Sequence, residues 1–477
     1  MLRRDLAALA AREHDVVVVG GGIHGAAAAW EAASRNLSVA LLEAHDFGAG
    51  ASWNSLKTIH GGLRHLQRLD VAGLRESARE RRALLAIAPE LVRPLAFLAL
   101  EDGASRRAAL GLGIVVAELL SAGRNRGVRA DRRLSRGRLL SRAETAARVP
   151  GLSGSRGGGA LWWDAQVDSS ERLLLALLHA AVGAGAVVAN RVEAVSLLRE
   201  GGAVRGVAAR DGLTGQAMEI RGRVVLDAAG PAAAALARSA GIARPPVPHL
   251  RAVNLVLRRA VVGEAAVGAR SSGRYLFCVP WRDRSMVGTA YAPETTSGRA
   301  LAAAFLQEAA RAFPWARLTA ADVALVHEGL VPGGPAGLWT RSRVVDHAAD
   351  GAAGLLTVVA VKYTTARAVA ETAIDRVFER LRRPPVASRT ATTALAEARP
   401  LAGTLEQRAR QAVRDEMALS LSDAVLRRLD LGSAGVPPAA EVDVVARVMA
   451  QELGWDAPRI ARERAELDAF YVARTLE

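Results

Sequence analysis

The start of the chain contains an apolar run, a glycine-rich turn and a helical stretch, and this order predicts a strand–helix–strand unit. Residues 15–19 (DVVVV) form a β-branched run, which is typical of a buried parallel strand. The turn GGGIHG follows at 20–25, then the helix-like stretch AAAAWEAASR, and then a second strand, SVALLE, that ends at Glu43. Together these elements have the length of one βαβ unit, about 30 residues.

The rest of the chain alternates helical and β-rich segments. We expect helices at 71–88, which is charged and has helical period, at 171–186 and from about Thr365. Residues 107–123 form a shorter apolar segment flanked by arginines. The Arg-rich stretch 124–150 is expected to be looped. Strands are predicted at 187–198, 203–211, 217–230 and 355–361, with an antiparallel pair at 274–281 and 285–291.

Length and composition indicate a soluble, globular chain of several domains. At roughly 100–200 residues per domain, 477 residues predict two or three of them. The hydrophobic share of 51% and the charged share of 23% argue against a disordered chain. The sequence contains no uncharged apolar run of about 18 residues, so we expect no membrane-spanning helix. The N-terminal segment lacks the apolar region of a signal peptide.

The charge of the chain is basic and is carried almost wholly by arginine. The net charge is +15, and Lys57 and Lys362 are the only lysines among 63 basic residues. We interpret this charge as a solvated surface, because the aromatic share of 4% is too low for a nucleic-acid site. An anionic membrane surface and an anionic substrate remain open as partners of this basic charge. The lone cysteine, Cys278, excludes a disulfide framework and a Cys-rich zinc module, fits a reducing cytoplasm, and leaves us expecting no metal.

The glycine-rich turn predicts a dinucleotide site. Gly20 permits the tight turn, Gly22 lets the backbone approach a pyrophosphate, and Gly25 allows close packing of helix on strand. Glu43 lies 18 residues past Gly25, where a carboxylate can accept hydrogen bonds from ribose hydroxyls. This spacing alone does not separate NAD from FAD. The strand and small-residue turn VVLDAAGP at 224–231 favours a discontinuous FAD domain.

At 52–67 (SWNSLKTIHGGLRHLQ) the chain resembles the FAD-dependent glycerol-3-phosphate dehydrogenases, which belong to the D-amino-acid-oxidase-like flavoproteins. The pattern of that family is close to SSxSSKLIHGGLRYLE. The similarity continues at 75–98, where the family has a helix of the form EAxxERxxLLxxAPHLxxPLPF, and at 277–291, 361–371 and 414–432. It therefore covers nearly the whole chain.

The resemblance implies an α/β fold (α+β overall) with a Rossmann-like FAD-binding domain, a β-sheet substrate domain and a helical C-terminal domain. We expect PPVP at 245–248 to be a linker between two of these domains. The resemblance divides the chain as follows: 1–98, first part of the FAD-binding domain; 99–150, a helical and looped insertion of the substrate domain; 151–245, second part of the FAD-binding domain; 246–345, substrate domain; 346–394, last part of the FAD-binding domain; 395–477, helical C-terminal domain.

The resemblance also implies an activity and its partners. The family removes a hydride from a secondary alcohol to flavin N5 and passes the electrons to a quinone or another acceptor. We expect a small hydroxylated, anionic substrate and peripheral contact of 107–123 with the inner face of the membrane. The predicted FAD-binding residues are Gly20, Gly22, Gly25, Glu43, Ser52, Ser55, Lys57, His60, Gly61, Gly62, Val192, Gly230, Lys362 and Thr364.

The chain departs from the family pattern at four places, one of which is Ala360-Val361-Lys362, where the family has GGK. The family's histidine base is Asn254 here, the arginine of its phosphate clamp is Val331, and the tyrosine after Arg64 is His65. An amide cannot serve as a general base near neutral pH. The substrate is therefore expected to differ from that of the family, with its hydroxyl proton taken by His65, His327 or water. The predicted catalytic residues are Arg64, His65, Arg251, Asn254, Arg341 and Lys362, with Arg251 replacing part of the missing clamp.

Two alternatives remain open from the sequence. An amine or amino-acid oxidase of the same superfamily would use Arg64 or Arg341 to bind a substrate carboxylate. A flavin-binding protein with weak or no turnover is suggested by Asn254 and Val331, which remove two groups that the family reaction uses.

Overall fold

A computed structural model describes residues 1–149, 151–152, 157–242 and 247–476, and the strands of this part of the chain form two sheets. The strands are β1 (His14–Val19), β2 (Val39–Leu42), β3 (Thr58–Ile59), β4 (Val92–Glu101), β5 (Arg138–Leu140), β6 (Gly158–Val167), β7 (Val187–Ala189), β8 (Val192–Glu200), β9 (Ala203–Asp211), β10 (Ala217–Asp227), β11 (His249–Leu257), β12 (Ala265–Ser271), β13 (Arg274–Trp281), β14 (Arg284–Pro293), β15 (Val323–Gly334), β16 (Gly337–Leu338), β17 (Arg343–Asp346) and β18 (Leu355–Val359).

Helices cover the faces of these sheets and build the C-terminal region. The α-helices are α1 (Leu6–Ala10), α2 (Ile23–Ser34), α3 (Val71–Ile87), α4 (Ala104–Leu120), α5 (Arg142–Arg148), α6 (Ser170–Gly183), α7 (Ala233–Ser239), α8 (Gly298–Ala312), α9 (Ala366–Leu381), α10 (Leu405–Glu416), α11 (Ala439–Leu453) and α12 (Ala457–Val472). A 3₁₀ helix spans Leu63–Arg68 and a π-helix spans Asp423–Arg428.

The smaller sheet has a parallel centre, in the order β17-β18-β10-β1-β2-β7, with β8 and β9 extending from β10. Every residue of β1 is buried, as its β-branched run predicts. Strand β1 pairs in parallel with β2 on one side and with β10 on the other. Helices α2, α6 and α9 cover one face of this sheet, and their apolar residues share one core with β1 and β2. This arrangement confirms the predicted mixed α/β architecture.

The larger sheet runs in the order β16-β15-β11-β14-β13-β12-β4-β6-β3, with β5 paired to β6. Apart from the parallel pair of β4 and β12, its strands are antiparallel. Strands β4 and β6 lie on either side of residue 150 in the chain, so this sheet draws on segments from both sides of that predicted boundary. The predicted linker at 245–248 lies partly outside the described residues.

One sequence expectation about local structure is wrong. The stretch 124–150 is not simply a loop, because its described part contains β5 and α5. Strand β5 adds to the edge of β6, a long-range pairing that local sequence does not show. Helix α5 does have a local signal, because Ser141 and Glu144 form a capping box at its start.

A buried ion cluster ties the loop after β2 to the C-terminal π-helix. Asp46 in that loop accepts hydrogen bonds from Arg427 Nε at 2.6 Å and from Arg428 Nη2 at 2.6 Å. All three side chains are buried. The two guanidinium groups hold the pKa of Asp46 well below its usual range, against the opposing effect of burial. The cluster fixes the loop that begins at Glu43.

We expect Asp46→Asn to destabilise the protein by about 3–5 kcal/mol, because it leaves the buried Arg428 guanidinium without a carboxylate and Arg427 with only Asp423. Denaturant unfolding followed by circular dichroism measures the change. The matched control is Asp283→Asn, whose carboxylate is 80% exposed and makes one surface ion pair, and which should change stability by less than about 1 kcal/mol. Equal effects of the two substitutions would show that the buried cluster is not needed for stability.

Candidate active site

A cavity of about 1890 Å³ lies between the carboxyl ends of the parallel strands and the inner face of the larger sheet. One wall is the glycine-rich turn after β1, with Glu43 at the end of β2. The opposite wall is formed by Asn254 on β11, Phe277 on β13 and Val331 on β15. Ligands of open α/β sheets bind at this end of the strands. The cavity is large enough for a dinucleotide together with a small substrate.

The glycine turn lets α2 approach β1 closely. Gly20 has a φ of +103°, and a Cβ there would lie 2.7 Å from the carbonyl oxygen of Ala228. A Cβ on Gly25 would overlap the carbonyl oxygen of Gly20. Gly22 caps α2 with an ordinary φ of −73°, and a Cβ there would point at Ser52 Oγ, 3.2 Å away. This shape leaves an open cradle at the N-terminus of α2, where a phosphate is favoured.

Polar groups around the cradle fit a dinucleotide. The Glu43 carboxylate accepts hydrogen bonds from the backbone N–H of Gly21 at 2.7 Å and of His45 at 2.8 Å, and burial raises its pKa. His24 Nε2 and Asn54 Oδ1 are buried beside the cavity and have no hydrogen-bond partner among the described residues. Buried polar atoms without partners are rare in folded proteins, so both atoms suit a polar ligand.

Most of the predicted cofactor residues border this cavity, and three do not. Gly25 instead packs α2 against β1, and Gly61 lies behind the wall, where its N–H donates to Asp164 Oδ1 at 2.7 Å. Lys57 is fully buried, and its Nζ donates to Glu171 Oε1 at 2.9 Å. The residues that border the cavity are Gly20, Gly22, Glu43, Ser52, Ser55, His60, Gly62, Val192, Gly230, Lys362 and Thr364.

The structure therefore places Lys57 and Gly61 away from the cavity that most of the other predicted cofactor residues border. A buried ammonium needs a carboxylate and hydrogen-bond acceptors, and Lys57 finds them in Glu171, in Ser170 Oγ at 2.8 Å and in the Trp53 carbonyl at 2.8 Å. Glu171 stands at the start of α6, more than 110 residues away in the chain. This pairing joins the motif around Ser52 to α6 and could not be seen from sequence.

Three basic side chains meet at one end of the cavity. Arg64, His65 and Lys362 all line it, and Lys362 Nζ lies 2.6 Å from His65 Nε2. The other ring nitrogen of His65, Nδ1, lies 2.8 Å from Asp70 Oδ2. Burial and the neighbouring Arg64 lower the pKa of Lys362 to about 8. Burial is also the main reason why the pKa of His65 is lowered.

Asn254 and Val331 face the same space but offer no charge. The Asn254 side chain donates from Nδ2 to the Asn54 carbonyl at 3.1 Å and accepts at Oδ1 from Thr289 Oγ1 at 2.7 Å. It is therefore held in place by both ends of its amide. Val331 forms an apolar wall together with Leu330.

Two other predicted catalytic residues, Arg251 and Arg341, do not line the cavity. The Arg251 guanidinium is paired with Glu328 and donates from Nη2 to the Glu294 carbonyl at 2.8 Å. It cannot replace the phosphate clamp, because its charge is already neutralised. Arg341 is paired with Asp70, and its side chain is 62% exposed. It therefore acts on the site only through that carboxylate.

His327 is excluded as a proton acceptor. It lies outside the cavity between Trp53 and Trp281, with ring centroids 4.8 Å and 6.0 Å away. Its Nε2 lies 2.7 Å from the Ser433 carbonyl oxygen, and burial lowers its pKa to about 3.

Two residues at the site were not predicted from sequence. Asp70 is the N-cap of α3, where its Oδ1 accepts from the Gly73 N–H at 3.0 Å. An aspartate just before a helical segment is a capping signal, but its contact with His65 has no sequence signature. His24 stands inside the GGGIHG turn itself, and burial lowers its pKa to about 4. Its place between the glycines could have indicated a cavity residue.

Comparisons with known proteins agree with this geometry. The profile of the FAD dependent oxidoreductase family (DAO) matches residues 15–376, and the profile of the C-terminal domain of alpha-glycerophosphate oxidase matches residues 385–460. The chain is 31% identical over 423 residues to a glycerol-3-phosphate dehydrogenase from Synechocystis sp., covering 81% of this chain and 74% of that protein. It is 34% identical over 388 residues to glycerol-3-phosphate dehydrogenase 2 from Mycobacterium bovis, covering 78% of this chain and 64% of that protein.

A solved structure shares the fold over almost the full length. The glycerol-3-phosphate dehydrogenase from Bacillus halodurans, complexed with FAD, superposes with a TM-score of 0.75 and 21% sequence identity. The alignment covers 99% of this chain and 97% of that chain. The chain spans about two thirds of the mycobacterial relative and three quarters of the Synechocystis one.

We expect Gly22→Val to prevent flavin binding without unfolding the protein. The backbone of Gly22 suits any residue, but a valine side chain would fill the cradle near Ser52. The flavin absorbance per chain after gel filtration measures binding, and circular dichroism checks folding. In the control, Gly183→Val, the new Cβ has no heavy atom within 4 Å and flavin binding should be retained. A yellow Gly22→Val protein would contradict the placement of the cofactor.

Proposed function

The chain belongs to the family of FAD-dependent oxidoreductases, and we propose that it oxidises the secondary alcohol of a small hydroxylated substrate to a ketone. FAD, when bound, supplies the hydride acceptor at N5 and passes the electrons on to a second acceptor. The protein binds and orients both partners. The observation that carries this proposal is the group of Arg64, His65 and Lys362 at one end of a cavity whose other end is a dinucleotide cradle.

Each basic group has a separate task in this proposal. Arg64 is exposed to the cavity and forms no hydrogen bond or ion pair with a described residue, so its guanidinium is available for an anionic substrate group. Lys362 is half-buried, and its ammonium stabilises negative charge that develops on the substrate oxygen. The apolar wall of Leu330 and Val331 excludes water from that side and positions the carbon skeleton.

The amino-acid oxidase alternative is tested by the same substrate screen. Arg64 can bind a carboxylate as well as a phosphate, and the fold alone is shared with glycine oxidase from Geobacillus kaustophilus. The sequence relatives favour an alcohol substrate. Anaerobic bleaching of the flavin by a panel of hydroxylated compounds and amines decides between them. Bleaching by amines alone, or by no compound, would overturn the proposal.

We expect glycerol 3-phosphate to be a poor substrate, with kcat/KM below about 10⁴ M⁻¹s⁻¹. The clamp position holds Val331, and Arg251 is paired with Glu328, so a contact worth about 1.5–3 kcal/mol is missing. Steady-state kinetics with an artificial electron acceptor measure this. Val331→Arg should raise kcat/KM for glycerol 3-phosphate about tenfold or more, but not for an uncharged alcohol. A kcat/KM above about 10⁴ M⁻¹s⁻¹ for glycerol 3-phosphate with the unaltered protein would refute the inference that the clamp is missing.

We also propose that α4 makes peripheral contact with an anionic membrane surface. Leu112, Val115 and Leu119 lie on one face of this helix and are 66%, 55% and 71% exposed. Arg107 lies in the first turn of α4, and Arg124 lies four residues past its end, where it pairs with Glu118. No helix in the described ranges has the length and apolar character to cross a bilayer. An amphipathic helix with flanking arginines suits the lipid interface.

This surface is continuous with the active site. The adjoining side of α4, with Leu110, Gly113 and Val116, borders the cavity, and so does Leu112 of the exposed face. An apolar acceptor such as a quinone could therefore approach the flavin beneath α4.

The protein should pellet with anionic liposomes at low salt and be released as the ionic strength approaches about 1 M, where screening is nearly complete. Replacing Leu112, Val115 and Leu119 together by serine should abolish pelleting. Leu213→Ser is the control, since Leu213 is 52% exposed in the turn between β9 and β10. Pelleting that is unaffected by the triple substitution would exclude α4 as the contact surface.

A further inference from the structure

We propose that Lys362 and His65 together form the base that accepts the hydroxyl proton of the substrate, with Asp70 as the positioning residue for His65. This inference rests on the proposed alcohol oxidation. It names the groups that accept the hydroxyl proton, which Asn254 cannot accept. It names a route in which the proton moves from substrate oxygen to Lys362, while Lys362 gives a proton to His65.

The geometry is a continuous line of hydrogen bonds. Arg341 pairs with Asp70, Asp70 Oδ2 lies 2.8 Å from His65 Nδ1, and His65 Nε2 lies 2.6 Å from Lys362 Nζ. Of the residues in this line, Lys362 and His65 border the cavity. Both lie near Arg64.

The acceptor and donor roles follow from the carboxylate. The backbone N–H of Gly73 and the Arg341 guanidinium lower the pKa of Asp70 to about 2, so Asp70 is ionised and can only accept. His65 Nδ1 must then carry the hydrogen. Neutral His65 therefore presents its Nε2 lone pair to the Lys362 ammonium, which donates to it.

Lys362 has a higher pKa than His65, so transfer of a proton from Lys362 to His65 costs free energy and is a transient step. Burial and Arg64 lower the pKa of Lys362 to about 8, with opposing effects from Glu76 and Asp70, and Arg341 acts in the same direction as Arg64. The pKa of His65 is lowered by burial, Lys362 and Arg64 and raised by Asp70. Loss of the Lys362 proton removes the positive charge next to His65, which makes the ring a better acceptor.

The step is balanced without another reactant. The ammonium proton of Lys362 moves to His65 Nε2, whose positive charge is then paired with the Asp70 carboxylate. Neutral Lys362 takes the proton from the alcohol oxygen. Bound FAD would accept the hydride of the C–H bond as that bond breaks and the C=O bond forms. The products are the ketone, the reduced cofactor and imidazolium at His65, which loses its proton to solvent.

The test is stopped-flow bleaching of the flavin-bound protein as a function of pH, with the best alcohol of the panel. In the unaltered protein the rate should rise with pH through the pKa of His65, below 6.5, because protonated His65 cannot accept. His65→Asn should lower the rate at pH 7 at least about 100-fold and move the rising limb up toward 8, where Lys362 itself becomes neutral. If the rate of His65→Asn rises over the same pH range as that of the unaltered protein, the relay is overturned.

Lys362→Arg separates a base from a fixed charge. Arginine keeps the positive charge but does not deprotonate in proteins, so this variant should bind substrate and remain at least about 100-fold slower at every pH. Recovery of the rate in Lys362→Arg would show that only the charge matters. Asp70→Asn should lower the rate by less than Lys362→Arg does. It should also change the pH at which the rate rises, because Asp70 acts through His65.

A readout without turnover keeps the relay testable if no alcohol bleaches the flavin, in which case the proposed function has failed on its own. Nitrogen NMR of the flavin-bound protein should show His65 as the Nδ1–H tautomer. Lys362→Met should raise the pKa of His65, because it removes the adjacent ammonium. The opposite tautomer, or an unchanged pKa in Lys362→Met, would exclude the contact on which the relay depends.

Discussion

The close approach of α2 to the end of β1 is the constraint on which the site depends. Gly25 on α2 lies directly against the carbonyl of Gly20, where no Cβ fits. This contact places the first N–H groups of α2 at the carboxyl ends of the parallel strands. Ser52 Oγ accepts from the Ile23 N–H at 2.9 Å and so ties the following loop to the same helix end. That loop leads into the 3₁₀ helix of Leu63–Arg68, so the cofactor cradle and the substrate groups are placed by one contact.

Buried charges then hold this first segment against the rest of the chain. Lys57 pairs with Glu171 on α6, and Asp46 pairs with Arg427 and Arg428 of the C-terminal π-helix. Such pairs add little stability over apolar packing, but the loss of one partner is costly. Their main effect is to disfavour any arrangement in which the first segment, α6 and the π-helix are not packed together. The C-terminal helices are therefore part of the cofactor domain's support, although they do not line the cavity.

Local patterns predicted the fold well because they are set by neighbours in sequence. The β-branched run of β1 and the glycine turn needed no long-range information, and the family motif around His60 identified the cofactor. Contacts between distant segments were not predictable. The scarcity of lysine singled out Lys57 and Lys362 as positions that need a compact charge, and both are in such positions. Only the structure shows that Lys57 faces Glu171 and that Arg251 faces Glu328, which decides what each charge can bind.

The departures from the family pattern are better understood as one change than as separate losses. Asn254 makes a hydrogen bond through each end of its amide, so it stabilises the sheet beside the substrate and has no proton-accepting role. His65 gains its support from Asp70, which already caps α3 through the Gly73 N–H. The carboxylate of a helix cap has a second oxygen available, and here that oxygen orients an imidazole. A proton acceptor on the loop before α3 therefore requires no new element of the fold, only a histidine within reach of an existing cap and of Lys362.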